Sequence, residues 1–288
     1  MKILVIGGTR FFGIPMVERL IRDGEDVTIA TRGLAKDAFG DKVNRIKLDL
    51  NDENSVRSAL HGKKYDVVID KMGYCSNEMK WILESLYCDR FIHMSTAGVY
   101  DLNHLLIREE EFNPTEGELI WCGRKELSYD EVKRNAERAL FQIYTDVDCV
   151  SVRVPFVLGK NDYTGRLKFY VEHVLNSIPM YVDNMDEEFC VSECNEISDM
   201  IIRLVRSDYT GTINGCSAGL ISIRELLNYI SIKAGKKPVL EKSGDPAPYN
   251  CTVTNSLCTE KAKELGISFR DVKSWVFDLL DEYMSCRK

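Results

Sequence analysis

The stretch VIGGTRFFG, Val5 to Gly13, decides the fold. It closes an apolar run, Lys2–Ile6, and opens PMVERLIRDG, where Met16, Val17, Leu20 and Ile21 recur at helical spacing before Gly24 stops the pattern. A strand, a glycine turn and a helix in that order form a crossover. The helix N-terminus then offers free N–H groups and partial positive charge, which suit a pyrophosphate. Gly7 permits the tight turn, and Gly13 lets the helix lie close to the sheet. The spacing Gly7-x-x-Arg10-x-x-Gly13 keeps the outer pair and puts Arg10 where a third glycine usually stands. Arg10 is either a phosphate clamp or a surface arginine, and the whole stretch is either a phosphate loop or a tight turn with no ligand.

The same texture continues along the chain. DVTIA (Asp26–Ala30), NRIKLDL, YDVVID (Tyr65–Asp70), RFIHMST (Arg90–Thr96) and CVSVRV (Cys149–Val154) read as further strands. ENSVRSAL, NEMKWILESLY and YDEVKRNAERALFQIY read as helices between them. Alternation of this kind, with near-continuous apolar strands, indicates an α/β fold with a doubly wound parallel sheet. After Pro155 helices predominate, with short strands expected around Met180–Val182 and Phe189–Val191. The end of the chain reads as two helices joined near Gly266. The expected division is a nucleotide-binding domain over 1–160 and a smaller, mostly helical substrate region over 161–288, with part of 189–215 returning to the sheet.

The 288 residues are 44% hydrophobic and 29% charged, as in an ordinary globular protein. No apolar run reaches eighteen residues, so no membrane span is expected. The opening MKILVIGG is too short for a signal peptide and reads as a strand. A net charge of -7 without a dense Lys/Arg cluster does not favour nucleic acid. Ten cysteines are scattered with no C-x-x-C pair; Cys190 and Cys194 come nearest, with no histidine at ligand spacing. This points to buried thiols in the cytoplasm, with neither a zinc site nor a disulfide framework.

The second strand runs into IATRG, so Thr31 stands where an NAD-preferring fold carries a carboxylate for the ribose, and Arg32 follows. A basic residue there attracts a 2'-phosphate, which favours NADP over NAD, though Arg32 also reads as a solvated loop charge. Asp49 is an acceptor for the adenine amino group or a turn residue. Farther on, SYDEVKRNAERAL places Tyr129 and Lys133 one helical turn apart on one face. An ammonium near a phenol lowers its pKa from about 10 and suits it to proton exchange with a substrate hydroxyl during hydride transfer. By spacing alone the pair also reads as a chance surface pair. The fifth strand ends in MSTAGVY, which sets Ser95 and Thr96 at the sheet edge where substrates bind.

These residues resemble the short-chain dehydrogenase/reductase superfamily, in its extended or atypical branch (the NAD-dependent epimerase/dehydratase family). GGTRFFG is similar to that branch's GGTGFIG, MSTAGVY to SSAAVYG, YDEVKRNAERAL to YGxSKxxAExxL, and VRVPFVLGKND to LRPxxVYGPGD with Arg153, Pro155 and Gly159 kept. The last of these, with YTGRLKFYVEHV after it, is especially similar to the subgroup containing chloroplast stem-loop-binding proteins. The resemblance implies a Rossmann fold, a nicotinamide cofactor and a catalytic set of Thr96, Tyr129 and Lys133. It implies cofactor contacts from Gly7, Thr9, Arg10, Phe11, Phe12, Gly13, Thr31, Arg32, Asp49, Leu50, Lys71 and Lys133. Extended members commonly act on nucleotide-linked sugars, and a homodimer is a family expectation. Lys71 opens KMGY, where extended relatives often have LAA; it is a phosphate or substrate contact, or a loop lysine.

Other residues divide between packing and function. His93, inside the fifth strand, reads as a packed core residue rather than a ligand. His173 reads as a surface histidine or one facing the substrate cleft. Trp81 and Trp121 read as packing. Arg153 is a substrate-phosphate contact or a structural ion pair, and Arg166 meets a diphosphate or solvent. The first functional reading is an NAD(P)-dependent oxidoreductase or epimerase. Its rivals are an RNA-binding protein of the same fold and a cofactor sensor without catalysis.

Overall fold

A computed structural model describes residues 1–101 and 103–285. Its centre is a seven-stranded sheet of β1 (Lys2–Ile6), β2 (Asp26–Thr31), β3 (Asn44–Lys47), β4 (Lys63–Asp70), β5 (Leu86–Met94), β6 (Asp148–Arg153) and β7 (Gly211–Asn214). The spatial order is β7-β6-β5-β4-β1-β2-β3, and every neighbouring pair is parallel. The winding direction reverses between β1 and β4. Crossovers diverge there, and a crevice opens beyond the carboxyl ends of the strands.

Helices α1 (Gly13–Arg22), α2 (Glu53–Leu60), α3 (Ser76–Leu83) and α4 (Tyr129–Gln142) follow β1, β3, β4 and β5. In β1, Ile3 and Val5 join a core with Met16, Val17 and Leu20 of α1, whereas Leu4 and Ile6 join one with Val56, Leu60, Met79, Ile82 and Ala136. Successive side chains of a strand point to opposite faces, so a strand covered on both sides needs an unbroken apolar run. That is why KILVI reads as it does.

The C-terminal region contains α5 (Arg166–Asn176), α6 (Cys194–Val205), α7 (Ile223–Ala234), the short α8 (Glu260–Glu264) and α9 (Val276–Ser285). Not all of it stands apart from the sheet. Ile197, Met200 and Ile201 of α6 pack with α1 against the sheet, and β7 extends its edge beside β6. A separate core gathers Leu167, Tyr170 and Val174 of α5 with Leu226, Leu227 and Ile230 of α7 and Leu279 and Leu280 of α9. Short strand pairs stitch this lobe: Phe156–Leu158 with Val191–Glu193, Glu188–Phe189 with Ile221–Ser222, and Met180–Tyr181 with Asp245–Pro246.

The chain end departs from the expected helix pair. α8 stops before Gly266, which is left-handed at φ +71°, but the next α-helix starts only at Val276. The intervening backbone is drawn into strand-like pairing, since Ala218 N donates to Arg270 O at 2.9 Å and Val272 N donates to Ala218 O at 2.8 Å. Among the described residues, no helix is long and apolar enough to cross a membrane.

Candidate active site

The glycine loop is built by close backbone approach. Gly7 and Gly8 have φ of +101° and +93°, a region that L side chains avoid. A Cβ on Gly13 would lie 2.7 Å from the Gly8 Cα, so α1 can begin against the loop only with glycine there. Phe11, at φ +53°, turns the chain between them. Arg10 is exposed, with its guanidinium 5.7 Å from the Tyr163 ring. Its carbonyl accepts a hydrogen bond from Lys71 Nζ at 3.3 Å.

Above this loop lies a cavity of about 260 Å³, walled by Gly7, Gly8, Thr9, Arg10, Thr31, Arg32, Asp49, Leu50, Lys71, Met72, Arg124 and Tyr163, among others. Its wall carries four cations, Arg10, Arg32, Lys71 and Arg124, against the single carboxylate of Asp49. Thr31 Oγ1 accepts from Gly33 N at 3.1 Å, and Arg32 next to it is exposed. Asp49 accepts from the main-chain and side-chain nitrogens of Asn51; these bonds, with Arg32 and Arg124 nearby, hold its carboxyl below the usual range. Lys71 has no carboxylate partner among the described residues. Its ammonium sits 4.2 Å from the Phe12 ring, and burial together with Arg10 lowers its pKa to about 8.

A second cleft, of about 640 Å³, shares Lys71, Met72 and Tyr163 with the first and holds Thr96, Tyr129, Lys133 and Arg166. Phe11 and Phe12 line this cleft rather than the smaller cavity. Gly13 lines neither and acts only through its packing. The strand-to-helix geometry explains the placement. Thr96 lies two residues beyond β5, and Ser128 caps α4 by accepting from Glu131 N, so Tyr129 is the first helical residue and faces outward. The Thr96 hydroxyl tempers the upward push of burial on the Tyr129 phenol, which still stands at about 12, with half of the residue exposed.

Lys133 does not lower that phenol, contrary to the spacing argument. Its Nζ donates to Gly73 O and to Met94 O, each at 2.7 Å, and burial takes its own pKa to about 8. One helical turn puts the two side chains on one face, but the lysine reaches down between the ends of β4 and β5 while the tyrosine stays at the rim. Between them stands Tyr74, 4.8 Å from the Lys133 ammonium and edge-on to Tyr129 at 5.9 Å between ring centroids.

Two other placements differ from expectation, and a third settles an open alternative. His173 is neither at the surface nor in the cleft: it is buried in the C-terminal lobe, stacked on Phe169 and bonded to Phe169 O and Asp245 Oδ2. Trp121 is exposed, with Lys80 over its ring. Arg153 resolves to the structural alternative. It is fully buried, paired with Glu137 at 2.5 Å, and donates to Tyr100 Oη, Glu109 O and Phe112 O. His93 is fully buried and Trp81, partly buried, packs against the core, as read. The residues missed by sequence reading are Gly8, Met72, Tyr74, Arg124 and Tyr163. Gly8 was visible in the Gly-Gly pair and Tyr74 in KMGY; no local pattern marks the others.

Residues 3–80 match the model of the NAD dependent epimerase/dehydratase family. Over 124 residues the chain is 36% identical to the chloroplast stem-loop binding protein of 41 kDa b of Arabidopsis thaliana. That match covers 38% of this chain and 33% of the relative, so it spans about a third of the relative's length. Among solved structures, the UDP-glucose 4-epimerase of Thermotoga maritima with UDP-glucose is similar at TM-score 0.78 and 18% identity, over 99% of both chains. The UDP-glucose 4-epimerase of Thermus thermophilus in complex with NAD is similar at TM-score 0.70 and 19% identity, over 100% of both. The UDP-glucuronic acid 4-epimerase of Bacillus cereus in complex with NAD gives 0.71 and 17%, over 99% of this chain and 97% of that one. At such identity the structures establish the Rossmann-type fold over the whole chain, and the family match supports the resemblance read from the motifs at its N-terminal end.

Proposed function

We propose that this chain is an NAD(P)-dependent oxidoreductase of the epimerase/dehydratase type, acting on a hydroxyl or keto group of a nucleotide-linked sugar. One observation carries the reading: a hydroxyl and a phenol, Thr96 and Tyr129, line one cleft that shares Lys71, Met72 and Tyr163 with a cation-walled cavity over the glycine loop. Residues 1–160 would supply the cofactor site and residues 161–288 most of the substrate wall. The cavity fits a dinucleotide, because a Cβ on Gly7 would press on Met72 and Lys71 in the cavity wall and the cations around it match phosphate charge. A nicotinamide bound there would accept or return a hydride.

The chain's own residues would handle the proton. Tyr129 Oη is protonated at neutral pH in the unliganded chain and gives or takes a proton at the substrate oxygen, while Thr96 Oγ1 orients that oxygen. Lys133, bonded to two main-chain carbonyls, keeps a third N–H for the ribose of the cofactor. Arg10 and Lys71 would hold the pyrophosphate with the glycine-loop amides. Arg32, with Thr31 in place of a carboxylate, selects NADP, and Asp49 takes the adenine amino group. Arg166, at the start of α5 with no carboxylate partner among the described residues, would meet the substrate diphosphate. The family likeness is the ground for placing it as a cytoplasmic homodimer.

The test is Tyr129→Phe. Incubated with UDP-glucose and each nicotinamide dinucleotide, the wild type should convert the sugar, and the variant should lose turnover while binding cofactor as before. Equal turnover by the variant would remove Tyr129 from the mechanism. A second reading, RNA binding, is favoured by the name of the plant relative. Binding of a stem-loop RNA that weakens steeply with salt, with no cofactor bound, would favour it instead.

A further inference from the structure

Arg124 reaches the cofactor cavity from a part of the chain with no dinucleotide motif. It sits on the strap that runs from Leu119 to Leu127 ahead of α4. The strap is tied to both neighbouring helices: Ser76 Oγ donates to Ile120 O at 2.7 Å, Cys122 N donates to Ser76 Oγ at 2.9 Å, and Ile120 N donates to Asn135 Oδ1 at 2.7 Å. At its end the guanidinium is held by the carboxylate of Glu78, which is 1% exposed, through Nε and, at 3.2 Å, through Nη2. Nη2 also donates to Met72 O at 2.8 Å. Glu78 is itself fixed, accepting from Tyr74 N at 2.7 Å.

A guanidinium carries five N–H groups in a rigid fork. Three belong to Nε and Nη2; Nη1 has no partner among the described residues. A quarter of the side chain (25%) stays exposed, and Arg124 lines the cavity with Arg10, Arg32 and Lys71. Burying Glu78 carries a desolvation cost that a hydrophobic pair would avoid. What the arrangement gains is a cation fixed on one edge and free on the other, beside the glycine loop.

We propose that Arg124 is a ligand of a cofactor phosphate, brought to the dinucleotide site by the strap and aimed by Glu78 as its positioning residue. This rests on the reading that the cavity binds a nicotinamide dinucleotide. The shared chemistry is a phosphate oxygen, supplied either by the pyrophosphate or by the 2'-phosphate of NADP. The same guanidinium lies 4.5 Å from the Tyr74 ring, which packs edge-on to Tyr129.

The experiment is calorimetric titration of the full chain with NADP and with NAD, for the wild type, Arg124→Gln, Arg124→Lys and the double variant Glu78→Gln with Arg124→Gln. Arg124→Gln should weaken binding roughly tenfold to a hundredfold, the effect of losing a charge-assisted hydrogen bond. Arg124→Lys should lose less, since it keeps the charge and loses the fork. Loss with both dinucleotides identifies the pyrophosphate, and loss with NADP alone identifies the 2'-phosphate; either supports the assignment. If the single variant melts low because Glu78 is left unpaired, the double variant, with an amide pair in its place, gives the reading. Dissociation constants within about twofold of wild type for both dinucleotides in Arg124→Gln and in the double variant overturn it. Wild-type protein that binds neither dinucleotide overturns the cofactor site as a whole, and with it this assignment.

Discussion

Replacing Gly13 with alanine tests the glycine loop through the sign of a single number. Gly13 opens α1, and alanine ordinarily stabilises a helix over glycine by up to about 1 kcal/mol. Here the added Cβ would sit 2.7 Å from the Gly8 Cα and 2.9 Å from both its carbonyl carbon and oxygen. Ordinary contact begins near 3.4 Å, so helix and loop must part by about 0.7 Å. Gly8 has little room to give. The position of its own absent Cβ lies 3.0 Å from Val17 Cγ2 and 3.1 Å from Val5 Cγ1, and both valines are buried. Overpacking of this kind costs about 1–3 kcal/mol, which exceeds the helical gain. The net loss of roughly 1–2 kcal/mol should lower the melting temperature by about 2–6 °C for a domain of this size. The displaced amides also leave hydrogen-bond range of a bound phosphate, so affinity for NADP should fall by about tenfold. Thermal melts with and without NADP read both effects, since a ligand specific for the native state raises the midpoint. Gly24→Ala is the control. Gly24 has φ +79° and nothing within 4 Å of its Cβ position, so it carries backbone strain but no loop contact. A Gly13→Ala protein that melts above wild type, with an undiminished NADP shift, would mean that the loop is not closed by this contact.

Three further outcomes follow from the same geometry. Lys71, with its pKa lowered to about 8, is charged at pH 7 and loses its charge as pH rises through 8, so NADP affinity should be full below pH 7 and fall above it. Lys71→Met should flatten that decline, measured by fluorescence titration from pH 6.5 to 9.5; an unchanged pH profile would take Lys71 out of the site. Arg32→Ala should weaken NADP by about tenfold to a hundredfold and leave NAD within about twofold, and an equal loss for both would refute 2'-phosphate recognition. Arg153→Met should destabilise the fold by about 3–5 kcal/mol in urea unfolding, because Glu137 is left charged and buried, while Arg153→Met with Glu137→Leu recovers much of the loss. A single variant as stable as wild type would contradict the structural role.

Much of the site was legible because it lies where local pattern meets fold. Thr96 ends a strand, Tyr129 starts a helix, and the glycine loop joins β1 to α1, so each is marked by a change of periodicity. Helical spacing marks Lys133 but carries nothing of its surroundings. Its partners Gly73 O and Met94 O come from two strand ends that no helix-spacing argument contains. Arg153 had two readings of equal standing until Glu137, on α4, was seen beneath it.

What the sequence determined on its own is the order of strands and helices and the turn that opens the first crossover. These follow from side-chain periodicity and from glycine's access to positive φ, both properties of a few consecutive residues. Only the tertiary structure decided which charges face the cavity, how high the Tyr129 phenol stands, and what surrounds Lys133. Those depend on burial and on groups far apart in the chain, such as Arg124 over Glu78 or His173 under Asp245. Desolvation and Coulomb energy act through space, and distance along the chain carries no record of them.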